Sequence, residues 1–171
     1  ALPICTSGLP TLALADATVT VTGTGYRLAN PVLDTTDVTL VARRGDAAPT
    51  GGIGVTNQSP DAFTEGLNAT VGAAPAPFAA SGAIANLGAG GSDGTSLQVS
   101  LNTATAGSFG GSVQVDFVST GAGTTGAADI SVGSGTVGLT GKVYEAAVAQ
   151  VNNTVIDFGI VHVGDVVGPQ A

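Results

Sequence analysis

The stretch TSLQVSLNTATAGSFGGSVQVDF, residues 95–117, decides the fold class of this chain. Its first and last segments alternate strictly between apolar and polar residues, and a period of two places successive side chains on opposite faces of a β-strand. The apolar faces are formed by Leu97, Val99, Leu101, Val113, Val115 and Phe117. The glycine-containing linker between them supplies the positive φ angles that turns and bulges need. The stretch therefore predicts two half-buried strands joined by a turn.

The rest of the chain repeats this combination of short alternating segments and turn residues. Glycine accounts for 27 of the 171 residues, with further turn signals at 88–94 and 119–127. No segment shows a convincing 3.6-residue period, which predicts an all-β protein. A chain of this length suits one sizeable domain with flanking pieces.

The chain is acidic and carries few charges. Twelve acidic residues stand against four basic ones, giving a formal net charge of −8. A surface of this sign repels phosphate groups, which argues against nucleic-acid binding and against docking to anionic lipid. No apolar run approaches the roughly 20 residues that a membrane-spanning helix needs. Composition thus predicts an extracellular or cell-surface location without membrane insertion.

Residues 16–49 form a partial repeat of residues 134–169. At a spacing of 118, five residues of the first copy coincide with the same residue types in the second: Thr18, Val19, Thr22, Gly23 and Tyr26. With one extra residue placed in the linker, Gly45-Asp46 falls on Gly164-Asp165. The matches occur at turn glycines, at a tyrosine and at alternating apolar positions, where backbone geometry and packing fix the residue type.

A repeat of about 118 residues is the size of one β-sandwich of about seven strands. The chain then divides into residues 1–33, a terminal strand and linker of a preceding unit or an N-terminal extension, 34–147, the central sandwich, and 148–171, a linker and first strand of a following unit. We expect residues 154–167 to be a donor strand and residues 11–26 to pair near the junction with the previous unit. The predicted assembly interface comprises Val155, Ile156, Phe158, Ile160, Val161, Val163, Val19, Val21 and Tyr26.

The segment TVIDFGIVHVGDVVGPQA, 154–171, resembles the first strand of abnormal-spindle/hydin-type immunoglobulin-like domains. Together with 55–69, 83–117 and 139–147, it is similar to tandem units of large bacterial surface proteins that carry the choice-of-anchor D type of domain. The resemblance covers most of the chain from about Asp34 and, loosely, 18–29. It implies an immunoglobulin-like antiparallel β-sandwich with extra terminal strands shared between copies, and it brings no catalytic residues. The central unit departs from it, with Thr39-Leu40 where the later copy has Phe158-Gly159.

Residues suited to catalysis or metal binding are scarce. His162 is the only histidine, and the repeat places Arg43, which cannot act as a base, at the same position. One cysteine and one histidine do not make a zinc site. The pattern G-x-G-x-x-G occurs twice, from Gly121 and from Gly133, but no helix follows to receive a pyrophosphate, so both are interpreted as turn and bulge glycines. We predict no enzymatic activity and no cofactor.

Calcium stays open as an alternative, since acidic loops lie near Asp93 and between Asp34 and Asp37. The ordinary interpretation of these loops is turns capped by aspartate side chains. Surface glycans are also left open, because Asn57, Asn68 and Asn152 fit the N-glycosylation pattern. An intermolecular disulfide through the single Cys5 is a further open alternative.

These observations predict a structural, non-catalytic repeating unit of an extracellular bacterial fibre or surface array. Its partners would be copies of itself, assembled head-to-tail by β-strand addition. Whether the copies are covalently continuous or exchange strands between separate subunits stays open at this stage. The alternative is a cell-surface adhesin or carbohydrate-binding module, with an exposed aromatic or acidic cluster on the loops at one end of the sandwich, near Phe63, Phe78 or Phe109.

Overall fold

The computed structural model of the protein describes residues 15–152 and 154–169. Within these ranges the chain forms nine strands and no helix, so no helix there is long and apolar enough to cross a membrane. Cys5 and positions 11–14 lie outside the described residues. The strands are β1 Pro31–Leu33, β2 Asp37–Arg43, β3 Thr50–Asn57, β4 Gly66–Val71, β5 Phe78–Ser81, β6 Ala83–Leu87, β7 Ser92–Leu101, β8 Gly107–Thr120 and β9 Ile130–Tyr144.

The strands form two sheets. One has the order β1-β3-β7-β5 and the other β2-β9-β8-β4-β6. All neighbouring strands are antiparallel except β2 and β9, which run parallel. The four-stranded sheet has the strand order of the A-B-E-D sheet of an immunoglobulin domain. In the five-stranded sheet, β9-β8-β4 corresponds to the G-F-C sheet, with β2 and β6 as further strands at its two edges. The prediction of an all-β immunoglobulin-like sandwich is confirmed.

The core lies between the two sheets and is built from alternate residues of the strands. The six residues of the apolar strand faces in 95–117 are all buried, whereas Gln98, Gln114 and Asp116 are exposed. The alternation predicted from the sequence is therefore confirmed. The other fully buried large side chains come mainly from β3, β4 and β9.

Glycine conformations shape β9 and the turn before it. Gly123 and Gly126 have φ values of +78° and +70° in the turn between β8 and β9. Gly133 has a φ of +110° and lies where the β8–β9 register shifts between Phe117 and Val118. Such a conformation at a register shift is that of a β-bulge, as the sequence predicted for this glycine.

The chain joins and leaves the sandwich at opposite ends. The backbone N–H of Ala29 donates a hydrogen bond to Oγ of Ser119 (2.9 Å), the penultimate residue of β8. At the other end, Val143 pairs with Gly107, the first residue of β8. A strand rises roughly 3.3 Å per residue, so these ends are about 40 Å apart. We call them the Ser119 end and the Gly107 end.

The sandwich includes residues that precede Asp34, the residue at which the sequence predicted the central unit to start. Ala29 is buried, and Pro31–Leu33 pairs with the end of β3. Asp34 itself connects β1 to β2, and its backbone N–H donates to the carbonyl of Gly54 (2.9 Å). Residues 29–33 thus contribute to the same sandwich as residues 34–144.

The segments outside the sandwich are exposed and form no strand in residues 15–26, 145–152 and 154–169. The strand predicted over 154–167 is therefore not found in the single chain. Instead, Asp157 Oδ1 accepts a hydrogen bond from the N–H of Gly159 (2.8 Å), whose φ is +67°. A strand without a partner leaves its backbone groups unpaired, and a local turn satisfies some of them.

Candidate assembly interface

The Ser119 end holds Tyr26, the tyrosine of the first copy of the repeat. Its ring packs edge-to-face on Phe63, with centroids 5.8 Å apart and an interplanar angle of 66°. The next residue, Arg27, donates its backbone N–H to the Phe63 carbonyl and accepts from the N–H of Glu65, each at 2.9 Å. This is a short parallel bridge, centred on Arg27 and Thr64. The chain at Tyr26 and Arg27 is therefore fixed to a loop of the sandwich.

An exposed ion pair reinforces this contact. Arg27 Nη1 lies 2.7 Å from Asp61 Oδ1. The N–H of Phe63 also donates to Asp61 Oδ1, and that bond, followed by the one from Arg27, lowers the pKa of the Asp61 carboxyl. Surface ion pairs contribute little to stability, so the ring contact and the backbone bridge carry most of the attachment.

A buried carboxylate lies directly beneath this bridge. Glu65 is 5% exposed, and its two carboxylate oxygens accept hydrogen bonds from Ser119 Oγ (2.8 Å) and Thr125 Oγ1 (2.6 Å). Ser119 Oγ in turn accepts the N–H of Ala29. A buried carboxylate is tolerated when its oxygens are hydrogen-bonded, as here. The network ties the incoming chain to β8 and to the loop that follows it.

Asn57 completes the same network and is fully buried. Its Nδ2 donates to the carbonyls of Glu65 and Leu87, both at 2.9 Å, and its Oδ1 accepts from the N–H of Asn30 (3.1 Å). Sequence reasoning singled out Asn57 only as a glycosylation pattern. A fully buried side chain with three such bonds is not accessible as an acceptor in the folded protein.

The Gly107 end carries the counterpart of Tyr26, Tyr144. It is the last residue of β9 and pairs in register with Arg43 of the parallel strand β2. Its side chain is 56% exposed. The following residue, Glu145, forms an ion pair with Arg44 (2.9 Å). The two tyrosines of the repeat thus lie at opposite ends of the sandwich.

The two copies of the repeat share a turn. After β2, the N–H of Asp46 donates to the carbonyl of Arg43 (3.1 Å), and Gly45 between them has a φ of +82°. In the C-terminal segment, the N–H of Asp165 donates to the carbonyl of His162 (3.1 Å), and Gly164 has a φ of +101°.

The side chains at the ends of these turns also correspond. Arg43 Nε lies 3.8 Å from Asp46 Oδ2, and His162 Nδ1 lies 3.5 Å from Asp165 Oδ2. His162 is exposed and takes the place of Arg43, as the repeat predicted. The segment 156–165 therefore carries the same turn as the end of β2 although it lies outside the sandwich.

Burial in β2 bears on where the extra residue of the second copy lies. Val38 and Leu40 face the core, and Thr39 faces solvent. If the spacing of 118 continues through β2, Ile156 and Phe158 correspond to the buried Val38 and Leu40. If the extra residue lies in the linker before the strand, both side chains fall instead on exposed positions of β2. The structure thus favours an extra residue after the strand, between Ile160 and the shared turn, and not in the linker as the sequence analysis placed it. Phe158 then corresponds to Leu40.

The residues of the predicted assembly interface are not brought together in the single chain. Tyr26 packs on Phe63 as described above, and the other members are exposed: Val19, Val21, Val155, Ile156, Phe158, Ile160, Val161 and Val163. In the described ranges these eight belong to no strand. Their role in assembly stays a prediction.

The aromatic residues proposed for a binding module do not form an exposed cluster. Phe78 is 5% exposed and belongs to the core, so its prediction as a surface residue is wrong. Phe109 is half-buried against the core, and Phe63 is engaged by Tyr26. The burial of Phe78 follows from its pairing with Leu101, which places it on the inner face of the first sheet.

The acidic loops considered for calcium use their carboxylates in local hydrogen bonds. Asp93 accepts from the hydroxyl and N–H of Ser96 and from the N–H of Thr95, and these bonds lower the pKa of its carboxyl to about 2. Asp34 Oδ2 accepts from Thr56 Oγ1 (2.7 Å). Among the residues with described positions, no three histidine, cysteine, aspartate or glutamate side chains are grouped as metal ligands would be.

Comparison with known proteins finds similarity only at the level of structure. No family model and no curated protein matches the sequence. The ASH/PapD-like domain 7 of human CEP192 is 10% identical, with a TM-score of 0.48 over 81% of this chain and 100% of that chain. The YadV chaperone is 12% identical, with a TM-score of 0.44 over 66% and 51%. WR4, a C. elegans member of the MSP family, is 9% identical, with a TM-score of 0.43 over 69% and 99%.

Proposed function

We propose that this protein is a structural, non-catalytic repeating unit of an extracellular bacterial fibre or surface array. Its partners are copies of itself, joined head-to-tail, with β-strands of one copy completing or extending a sheet of the next. No metal or cofactor takes part in this role. An immunoglobulin-like sandwich is compatible with many functions, so the proposal rests on the arrangement of the repeat and not on the fold.

The observation that carries the proposal is the position of the two equivalent tyrosines of the repeat. Tyr26 of the first copy lies at the Ser119 end of the sandwich, and Tyr144 of the second copy lies at the Gly107 end, about 40 Å away. Identical units joined through such opposite ends make a heterologous contact. A contact of this kind extends in one direction and has no reason to close.

The C-terminal segment supplies a strand suited to this arrangement. Residues 156–165 share the apolar alternation of β2 and its turn at Gly45-Asp46. In the sandwich, β2 pairs in parallel with β9 along seven residues. The equivalent segment of one copy is thus chemically matched to the β9 edge of another. If separate subunits exchange this strand, it must displace the resident β2 from the β9 edge. In a tandem polypeptide no such displacement is needed, because each segment is the β2 of its own unit.

Size-exclusion chromatography and electron microscopy of the full chain test strand sharing between separate copies. We expect concentration-dependent linear assemblies that disappear when residues 152–171 are removed. The double substitution I156D/F158D should have the same effect, because it charges the two side chains that correspond to Val38 and Leu40.

The matched control is V166D/V167D, which adds the same two charges to exposed residues beyond the shared turn. We expect this variant to assemble like the parent chain. Monomers under all conditions, or assemblies that persist without residues 152–171, would refute strand exchange between separate subunits.

A further inference from the structure

The repeat contains a second tyrosine equivalent to the one that packs on Phe63. Tyr26 corresponds to Tyr144, the last residue of β9, at a spacing of 118. By this correspondence Tyr26 takes the place that the last residue of β9 would have in a preceding unit, and Phe63 belongs to the sandwich itself.

We propose that Tyr144 packs on Phe63 of the following unit, as Tyr26 packs on Phe63 here, and that this contact fixes the orientation of consecutive units. The inference rests on the proposed function in its tandem form and adds the surface through which units meet. The occupant is a second copy of this chain: the Gly107 end of one unit lies on the Ser119 end of the next.

The exposure of the two tyrosines supports this assignment. Tyr144 is 56% exposed, whereas Tyr26, with its ring against Phe63, is 37% exposed although its preceding residues make no strand. An aromatic pair in this edge-to-face arrangement contributes beyond the area that it buries. Tyr144 lacks such a partner among the described residues.

The residues after each tyrosine correspond as well. Ala147 takes the position of Ala29, which is buried beside Ser119, and Val151 takes that of Leu33, which packs against the core. The alanine is unchanged, and valine in place of leucine keeps an apolar residue at its site. The backbone bridge to Phe63 and Glu65 involves only main-chain atoms of Arg27, so it does not depend on the side chain there.

The ion pair does not carry over, because Glu145 replaces Arg27 at this position and would face Asp61. In the structure Glu145 is neutralised within its own unit by Arg44, at 2.9 Å. The Arg27–Asp61 pair is exposed at both partners. Its absence therefore removes little from the contact, and the tyrosine ring remains the specific element.

A covalent two-unit chain tests the inference without requiring self-assembly. Residues 1–147 are followed directly by residues 30–171, so that the segment 144–147 occupies the place of residues 26–29 before the second unit and each sandwich keeps all its strands. Residual dipolar couplings then report whether both units share one alignment tensor. We expect a common tensor in the parent chain.

Two substitutions should abolish the common tensor: Tyr144→Ala in the first unit, and Phe63→Ala in the second. The matched control is Phe63→Ala in the first unit, where the ring packs on Tyr26 and not on Tyr144; here the common tensor should be retained. Phe63 is 48% exposed, so its loss leaves both sandwiches folded. Thermal unfolding of each variant checks this.

Independent tensors in the parent chain, or a common tensor that survives both substitutions, would overturn the junction contact. Assembly of the single chain is measured separately, so its failure does not affect this result. Conversely, a rigid single-unit fibre with a mobile two-unit chain would leave the proposed function standing and remove the junction at Phe63.

Discussion

Replacing Asn57 with alanine should lower the free energy of unfolding by about 3 kcal/mol. The side chain is fully buried, and its removal takes one hydrogen bond from each of three groups: the carbonyls of Glu65 and Leu87 and the N–H of Asn30. Each buried group left unpaired costs about 1–3 kcal/mol, with some relief as the surroundings relax. For a domain of this size, such a loss lowers the melting temperature by roughly 10 °C.

Urea unfolding followed by circular dichroism measures this change, with the midpoint expected to fall and the slope to stay constant. Asn102→Ala is the matched control, because its Oδ1 accepts one hydrogen bond, from the N–H of Ala104, in an exposed turn. The control should lose no more than about 1 kcal/mol. Equal losses for both variants, or a loss below about 1 kcal/mol for Asn57→Ala, would refute the role assigned to the buried network.

Three further predictions concern stability elsewhere in the sandwich. Hydrogen bonds from Ser96 hold the pKa of the Asp93 carboxyl in the folded protein at about 2, below its ordinary 3.8. The stability that the ionised carboxyl contributes is therefore complete above about pH 4 and is lost as the pH falls towards 2. Asp93→Asn should flatten this part of a plot of the urea midpoint against pH. Gly82→Ala should cost more than about 2 kcal/mol in urea unfolding, because φ is +110° and a Cβ would meet the Ser96 carbonyl, whereas Gly94→Ala meets no atom within 4 Å and should cost far less. Leu97→Ala should cost about 3 kcal/mol by thermal unfolding, since the side chain is fully buried.

Local sequence determined the fold class because the side-chain period of a strand is a local property. Leu97, Val99 and Leu101 alternate with polar residues, and any strand built from this segment must place them on one face. The turn at Gly45-Asp46 and its copy at Gly164-Asp165 were also recognisable from the sequence. That turn depends on a positive φ at glycine and on one short-range hydrogen bond.

Pairing partners could not be predicted in the same way. The buried network joins Asn57, Glu65 and Ser119, which come from three different parts of the chain. Asn57 looked like a glycosylation site, since only its sequence neighbours were visible. Phe78 looked like a loop aromatic for the same reason, and its pairing with Leu101 places it in the core.

The sequence by itself determined that the chain is all-β and that it contains two copies of an alternating segment that ends in the same turn, because alternation and turn chemistry act between neighbouring residues. Only the tertiary structure decided that β2 pairs in parallel with β9, that Val38 and Leu40 face inward, and that Tyr26 and Tyr144 lie at opposite ends. These features depend on contacts between residues far apart in the chain, and long-range packing selects one arrangement among many that the local pattern allows.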